Sequence, residues 1–417
     1  MTISRRDALT QLGGMAASLA VSPLLSGSAA AHEAPAREAP GADFPRKADF
    51  TMAPGYTYIN GAYTHPMPTV SAEAVQRWSA GRATVGGPPP PPRVDPRIAY
   101  ARLINAKPSE IAFIPNTSFG ENYVVEALGI HRFDGNVVTD ALHFEGALIH
   151  LMELQKAGLD LRVVQPRDGR IDLADMARLI DRRTKLVEVS LVSMYNGFQH
   201  DLKAVCDLAH AHGALVYADL IQGVGAVPVD VKACGVDFAA SASYKWLMGD
   251  FGVGFLYMRE ELRERVVTRT HWSYESAPDA ELHLSPFDPK YPVPITYTPG
   301  TDTASFVQLG TYAIGASVAL AHSLPYIEAL GVENIERHRQ PLLKRLQAEL
   351  PRFGFVSQTP LDSPSPIVTF AHRDTTTIAA RLQAARVNVR VAPTWVRISP
   401  SVYNDMADIE RLLEALA

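Results

Sequence analysis

Two cysteines in 417 residues, Cys206 and Cys234, are too few to staple a fold, so the chain must be held by a core of its own. Cys206 falls in the helical run Leu202 to His212 and Cys234 just before the strand Val236-Asp237-Phe238, where an oxidised pair and two free thiols both fit. Charge of one sign is equally scarce. Thirty-nine Lys and Arg against 44 Asp and Glu leave a net charge of -5 with no basic stripe, which argues against nucleic acid as a partner. The weakly apolar run Leu12 to Leu25 falls short of the ~20 residues a membrane-spanning helix needs. Metal-ligand spacing is missing as well: His210 and His212, two apart on a helix, point to different sides.

What is present at the amino terminus reads as an address. Ser4-Arg5-Arg6-Asp7-Ala8-Leu9, then the short apolar run, then Ala29-Ala30-Ala31, has the order of an export signal of the twin-arginine type. Residues 1–31 are expected to be removed near Ala31, leaving a Pro/Ala-rich tether over 32–55 and a periplasmic enzyme. The roughly 370 remaining residues suit two domains. Short apolar strands alternate with helical stretches such as Leu173 to Ile180, Ala204 to His212 and Glu260 to Arg265, the βα pattern of a mostly parallel sheet covered on both faces. A large domain is expected over 56–310. An Ala- and Leu-rich helix from Thr311 to Leu330 then leads into a small α/β domain built from Glu333 onward, helix and domain together spanning 311–417. Pro88 to Pro92 reads as a rigid polyproline loop, on the surface or lining the substrate entrance.

Lys245 carries the strongest chemical signal. It follows Asp237-Phe238-Ala239-Ala240-Ser241-Ala242-Ser243-Tyr244 and precedes Trp246-Leu247-Met248-Gly249-Asp250-Phe251-Gly252-Val253-Gly254. A lysine among Tyr, Trp, Leu and Met is either partly desolvated or covalently used. Desolvation lowers an ammonium pKa and frees the amine to form a Schiff base with an aldehyde such as pyridoxal phosphate. Upstream, the apolar strand Leu215 to Ala218 ends on Asp219, where a carboxylate could keep a pyridine nitrogen protonated.

Three further groups fit the same chemistry. Thr117 and Ser118 open a helical run after the strand Ile111 to Ile114, as phosphate ligands, plain N-caps, or both. Phe144, in the turn after the strand Val137 to Asp140, offers a flat face to a ring or completes the core. Arg397 stands on the apolar strand Val396 to Ile398 and requires a carboxylate, either a substrate α-carboxylate held by two hydrogen bonds or an internal salt bridge.

The stretch Val236 to Leu256, with Ala242, Ser243, Lys245, Gly252 and Gly254, resembles the lysine motif of class V aminotransferase-fold enzymes: cysteine desulfurases, kynureninase, isopenicillin N epimerase and relatives. The likeness runs from about Tyr56 to the C-terminus. It implies the α/β fold of type I pyridoxal phosphate enzymes, with a mostly parallel seven-stranded sheet and a small C-terminal domain. It also implies pyridoxal 5'-phosphate held by Lys245. Asp219 would meet the pyridine nitrogen, Phe144 with His143 beside it the ring face, and Thr117, Ser118 and Ser243 the phosphate. The turn Gly300-Thr301 would lend a hydroxyl to the neighbouring subunit of a homodimer. Desulfurase-like members have an Asn where this chain has Met194, which leaves Gln222 as the donor to the cofactor's phenolic oxygen. No cysteine follows Cys234, so the mobile cysteine that accepts sulfur in desulfurases is missing. The expected activity lies at the amino-bearing carbon of an amino acid or amino-acid-containing metabolite, by transamination, epimerisation or lyase chemistry. Among twin-arginine-exported relatives, one tailors the glutamyl side chain of a siderophore, the most specific expectation here. A non-catalytic binding protein that keeps the fold and a sugar aminotransferase of a neighbouring family are the alternatives, and the latter has no use for Arg397.

Overall fold

A computed structural model describes residues 43–83, 95–132, 134–282 and 295–417. The export signal, the first part of the tether and the Pro88 to Pro92 loop lie outside the described residues.

Seven strands form the central sheet: β1 (Ile111–Ile114), β2 (Asn136–Asp140), β3 (Asp160–Val164), β4 (Thr184–Ser190), β5 (Leu215–Asp219), β6 (Phe238–Ala242) and β7 (Gly254–Met258). Their order is β1-β7-β6-β5-β4-β2-β3. Only β7 runs against its neighbours, β6 on one side and β1 on the other. The strands are short, and β1, β5, β6 and β7 are almost uninterruptedly apolar, as suits a sheet covered on both faces. On one face, α1 (Thr117–Ala127) and α2 (Glu145–Lys156) pack Tyr123, Val124 and Leu151 against Leu186, Tyr217 and Phe238. The other face takes α3 (Leu202–His210), with Val205, Cys206 and Ala209 over Val187, Val189 and Val216.

Helix α4 (Ile314–Leu330) buries Leu320 and Leu324 in that second core and leads into α5 (Val332–Glu349). The small domain has its own four-stranded antiparallel sheet, β8 (Val356–Ser357), β9 (Val368–Ala371), β10 (Arg390–Ala392) and β11 (Trp395–Ile398), in the order β8-β9-β11-β10. Its core joins Leu342, Leu343 and Leu346 of α5 to Phe370, Ile398 and the apolar face of α6 (Met406–Leu416).

The tether and the large-domain boundary differ from expectation. Phe50 is buried against Tyr403 and Ile327, and Lys47 pairs with Asp405 at 2.8 Å. Thr57–Tyr58 pairs in parallel with Val387–Asn388, and Ile59 enters the small-domain core. Residues 43–59 are therefore a packed strap on the small domain. The anchors, Phe50 and Lys47, are single residues rather than a periodic face, so no sequence period marks them. Both cysteines are free thiols.

Candidate active site

In a parallel sheet, ligands collect outside the carboxyl ends of the strands, and the cleft here lies at that edge. It encloses about 430 Å³ of non-atom space, part of it open to solvent, and is lined by Asn116, Thr117, Ser118, Phe144, Ser190, Val192, Met194, Asp219, Ile221, Gln222, Tyr244 and Lys245. Five of the expected cofactor residues and Gln222 thus share one cavity.

Lys245 sits in the connection between β6 and β7, closed by a Ser243 N–H bond to the Val253 carbonyl of 3.0 Å. The neighbouring Trp246 is buried and donates from its indole N–H to Gln222 Oε1 at 2.9 Å. Gly225, at φ +84°, lies so close to the Trp246 carbonyl that a Cβ there would be 2.6 Å from the oxygen, so only glycine lets this loop pass. The lysine is 9 % exposed. Burial lowers its pKa to about 8, Asp219 pushing it back up and Arg397 further down. Asp219 ends β5 and accepts a 2.9 Å bond from the Ile221 N–H. Burial raises its pKa to about 6, against that bond and the nearby ammonium. Both groups are therefore destabilised in their charged forms, which suits a lysine that must serve as an amine.

The start of α1 fits an oxyanion. Asn116 is the N-cap, accepting from the Phe119 N–H at 2.9 Å, so neither Thr117 nor Ser118 fills that role. The helix leaves the first N–H groups without internal acceptors. Thr117 Oγ1 accepts from the Ala242 N–H at 3.0 Å, which ties the helix start to β6 and leaves its own O–H to donate. Gly120 lets α1 lie against β6, where a Cβ would come within 2.8 Å of Ala240 Cβ.

Four other expected residues are placed differently. His143 is fully buried behind the wall, its Nδ1 2.8 Å from Ser190 Oγ, and does not line the cavity; Phe144 does. The Ser243 hydroxyl, also fully buried, donates to the Asp250 carbonyl and so turns away from a phosphate. Gln222 is fixed at both ends, its Nε2 donating to the Ala62 carbonyl at 3.0 Å, which leaves one N–H for the cavity. Thr301 is exposed on a loop outside the cavity.

Arg397 enters from the small domain on β11. It is 4 % exposed, and Nη1 donates to the Met194 carbonyl at 2.9 Å. Among the described residues it has no carboxylate partner, and its Nε is buried without an acceptor. Burial pulls its pKa down to about 10, with Arg390 adding to the effect. An internal salt bridge is thus replaced by an unpaired guanidinium beside the cavity. Sequence reading missed Asn116, Ser190 and Ile221; the position of Ser190 at the C-terminal end of a parallel strand was the available signal.

This sheet, this small domain and this lysine define a type I pyridoxal phosphate fold. The family model of the class-V aminotransferases matches residues 95–412, and the chain belongs to that family. A probable cysteine desulfurase of Pyrococcus abyssi is 30% identical over 347 residues, 77% of this chain and 81% of its own length. A probable cysteine desulfurase of Methanothermobacter thermautotrophicus is 30% identical over 256 residues, and the chain spans 60% of that relative's length. Among solved structures, the apo cysteine desulfurase of Thermococcus onnurineus NA1 superposes with a TM-score of 0.76 at 25% identity, over 90% of this chain and 97% of that one. A C-DES variant with glycine linked to its pyridoxal phosphate shares the fold at a TM-score of 0.77 and 19% identity, over 89% and 99%. The cofactor is pyridoxal 5'-phosphate.

The residues fit it. Lys245 would carry the aldehyde carbon, Asp219 the pyridine nitrogen, Phe144 the ring face, and Thr117, Ser118 and the α1 N-terminus the phosphate. When bound, the cofactor supplies an electron sink for negative charge at the substrate's amino-bearing carbon. The buried Lys245 amine, its pKa held low by burial, would take or return a proton at that carbon.

Proposed function

We propose that the protein acts at the amino-bearing carbon of an amino acid, or a metabolite that keeps a free amino acid end, by transamination, epimerisation or elimination. The observation that carries this is Arg397, a buried guanidinium beside the Lys245 cavity with no carboxylate from the described residues. A substrate α-carboxylate would fill that vacancy with two charge-assisted bonds. A sugar amine would leave it unfilled, and a non-catalytic descendant would have no reason to keep Lys245 and Asp219 together.

Sulfur transfer through the protein's own cysteine does not suit this chain. Cys206 is buried in α3, where burial pushes its thiol well up, and Cys234 follows on the short helix Val231–Cys234. The amino-terminal pattern supports periplasmic export, and the Gly300-Thr301 turn supports a homodimer that completes the phosphate site. Within that compartment and family, tailoring of a siderophore glutamyl side chain is the specific reading.

The test is an absorbance titration of the holoenzyme with amino acids and with the amines they yield on decarboxylation, followed by product analysis. Spectral change with the amino acids alone supports the reading; equal response to both series overturns it.

A further inference from the structure

One fully buried cation takes no part in the roles above. Arg339 on α5 donates from Nη2 to the Ala226 carbonyl at 2.7 Å, and its guanidinium carbon lies 5.6 Å from the centre of the Trp246 ring. Nε and Nη1 are buried without an acceptor. Burial pulls its pKa down to about 10, and Glu336, three residues earlier on the same helix, acts against this. A guanidinium kept in the interior on one hydrogen bond and an aromatic ring stabilises poorly, because an apolar side chain of similar size would avoid the cost of desolvating the charge. Its placement is more telling. Ala226 belongs to the turn that follows Asp219 at the end of β5, and Trp246 to the turn that carries Lys245 after β6. One side chain from α5 thus touches both turns that supply the charged pair of the cavity.

The Trp246 ring passes this contact on. It is packed against Gly61, where a Cβ would come within 3.2 Å of a ring carbon, and against His65, whose ring centre is 6.0 Å away. With the ring so held, its indole N–H meets Gln222 Oε1 at 2.9 Å. An indole nitrogen can only donate. The Gln222 amide must therefore turn its oxygen to Trp246 and its nitrogen to the Ala62 carbonyl, 3.0 Å away, which leaves the second proton of that nitrogen for the cavity that Gln222 lines. The reversed amide would set two donors together at Trp246 and two acceptors together at Ala62.

We propose that Arg339 is a positioning residue that holds the Trp246 ring, and through its N–H the Gln222 amide, so that Gln222 offers the cavity a hydrogen-bond donor rather than an acceptor. Such a donor suits an anionic oxygen. In pyridoxal phosphate the phenolic oxygen is of that kind and stands on the ring carbon next to the one that bears the aldehyde. The inference rests on Lys245 holding that aldehyde. It is independent of what Arg397 binds, so failure of the amino-acid reading leaves it standing.

The test is a double-mutant cycle on the full-length protein, with Arg339→Met, Trp246→Phe and the two together. Trp246→Phe keeps a ring beside the guanidinium and removes the N–H, and the indole signal it abolishes in nitrogen-15 NMR assigns Trp246 among the four tryptophans. In the apo protein, Arg339→Met should shift that signal and speed its exchange with water by about tenfold or more. In the holoenzyme, each single variant should release pyridoxal phosphate about tenfold more readily, as for loss of one bond to a charged group. The double variant should release it no faster than either single one, because both substitutions break the same chain. An unmoved indole signal, wild-type cofactor retention in Arg339→Met, or losses that add in the double variant each overturns the proposal. Should Arg339→Met not fold, Arg339→Lys, which keeps the charge without the planar fork, takes its place in the same cycle.

Discussion

Arg397→Ala should separate substrate recognition from stability. In the folded protein the guanidinium has one hydrogen bond, to the Met194 carbonyl, and no counter-charge among the described residues. Losing that bond costs about 1.5–3 kcal/mol for a charged donor. Relief from burying an unpaired charge offsets it, because an uncompensated ion in the interior is penalised on a similar scale. The melting temperature of the variant should therefore stay near that of the wild type. Catalysis should not. A buried pair with a substrate carboxylate contributes about 2–5 kcal/mol, so kcat/KM for an amino acid should fall roughly 30- to 5000-fold. The decarboxylated amine, which never used the guanidinium, should turn over as before. Arg397→Lys should rescue poorly, since an ammonium cannot present the planar fork. Melting temperature and kcat/KM measured on one preparation decide the matter. Equal loss for both substrates, or a lower melting temperature with normal turnover by the folded fraction, would refute the assignment.

Purified protein should be yellow, and borohydride should fix the cofactor onto Lys245; a peptide map that puts the adduct on another lysine would contradict the desolvation argument. Asp219→Asn should retain pyridoxal phosphate yet lose most activity, because a neutral pyridine is a poor electron sink; wild-type turnover would mean that another carboxylate serves. Without cofactor, the buried pair should shape stability against pH. The folded Asp219 pKa of about 6 lies above its ordinary 3.8, so its contribution is present at low pH and is lost as pH rises through that window. The folded Lys245 pKa of about 8 lies below its ordinary 10.5, so stability climbs as pH rises between those values. Denaturant titrations of the apo wild type against an Asp219→Asn, Lys245→Met double variant should show the smallest relative stability between pH about 6 and 8, and a flat difference would contradict it. Light scattering should find a dimer, and Thr301→Ala should weaken phosphate retention; a fully active monomer would remove Thr301 from the site.

How much of this site could be read from the sequence depended on whether a role is local or set by a partner. Lys245, Asp219 and Thr117 were legible because each stands at the end of an apolar strand or the start of a helix, and strand ends in a parallel sheet converge on one edge. Ser243, Gln222 and His143 are of the right type beside the right residues. Their polar atoms are nonetheless engaged by the Asp250 carbonyl, by Ala62 with Trp246, and by Ser190, contacts that no spacing rule encodes. Arg397 shows the opposite limit. A sequence displays an arginine on an apolar strand, but that no carboxylate among the described residues pairs with it is seen only in three dimensions. Glu188 stood in plain view within Leu186-Val187-Glu188-Val189, an acid inside a strand whose neighbours on both sides are apolar. Such a strand is buried on both faces, so the carboxyl group had to be either paired with a cation or protonated. Among the described residues only the His143 imidazole stands opposite, 4.0 Å away, and burial beside Glu121 drives the carboxyl group toward its protonated form.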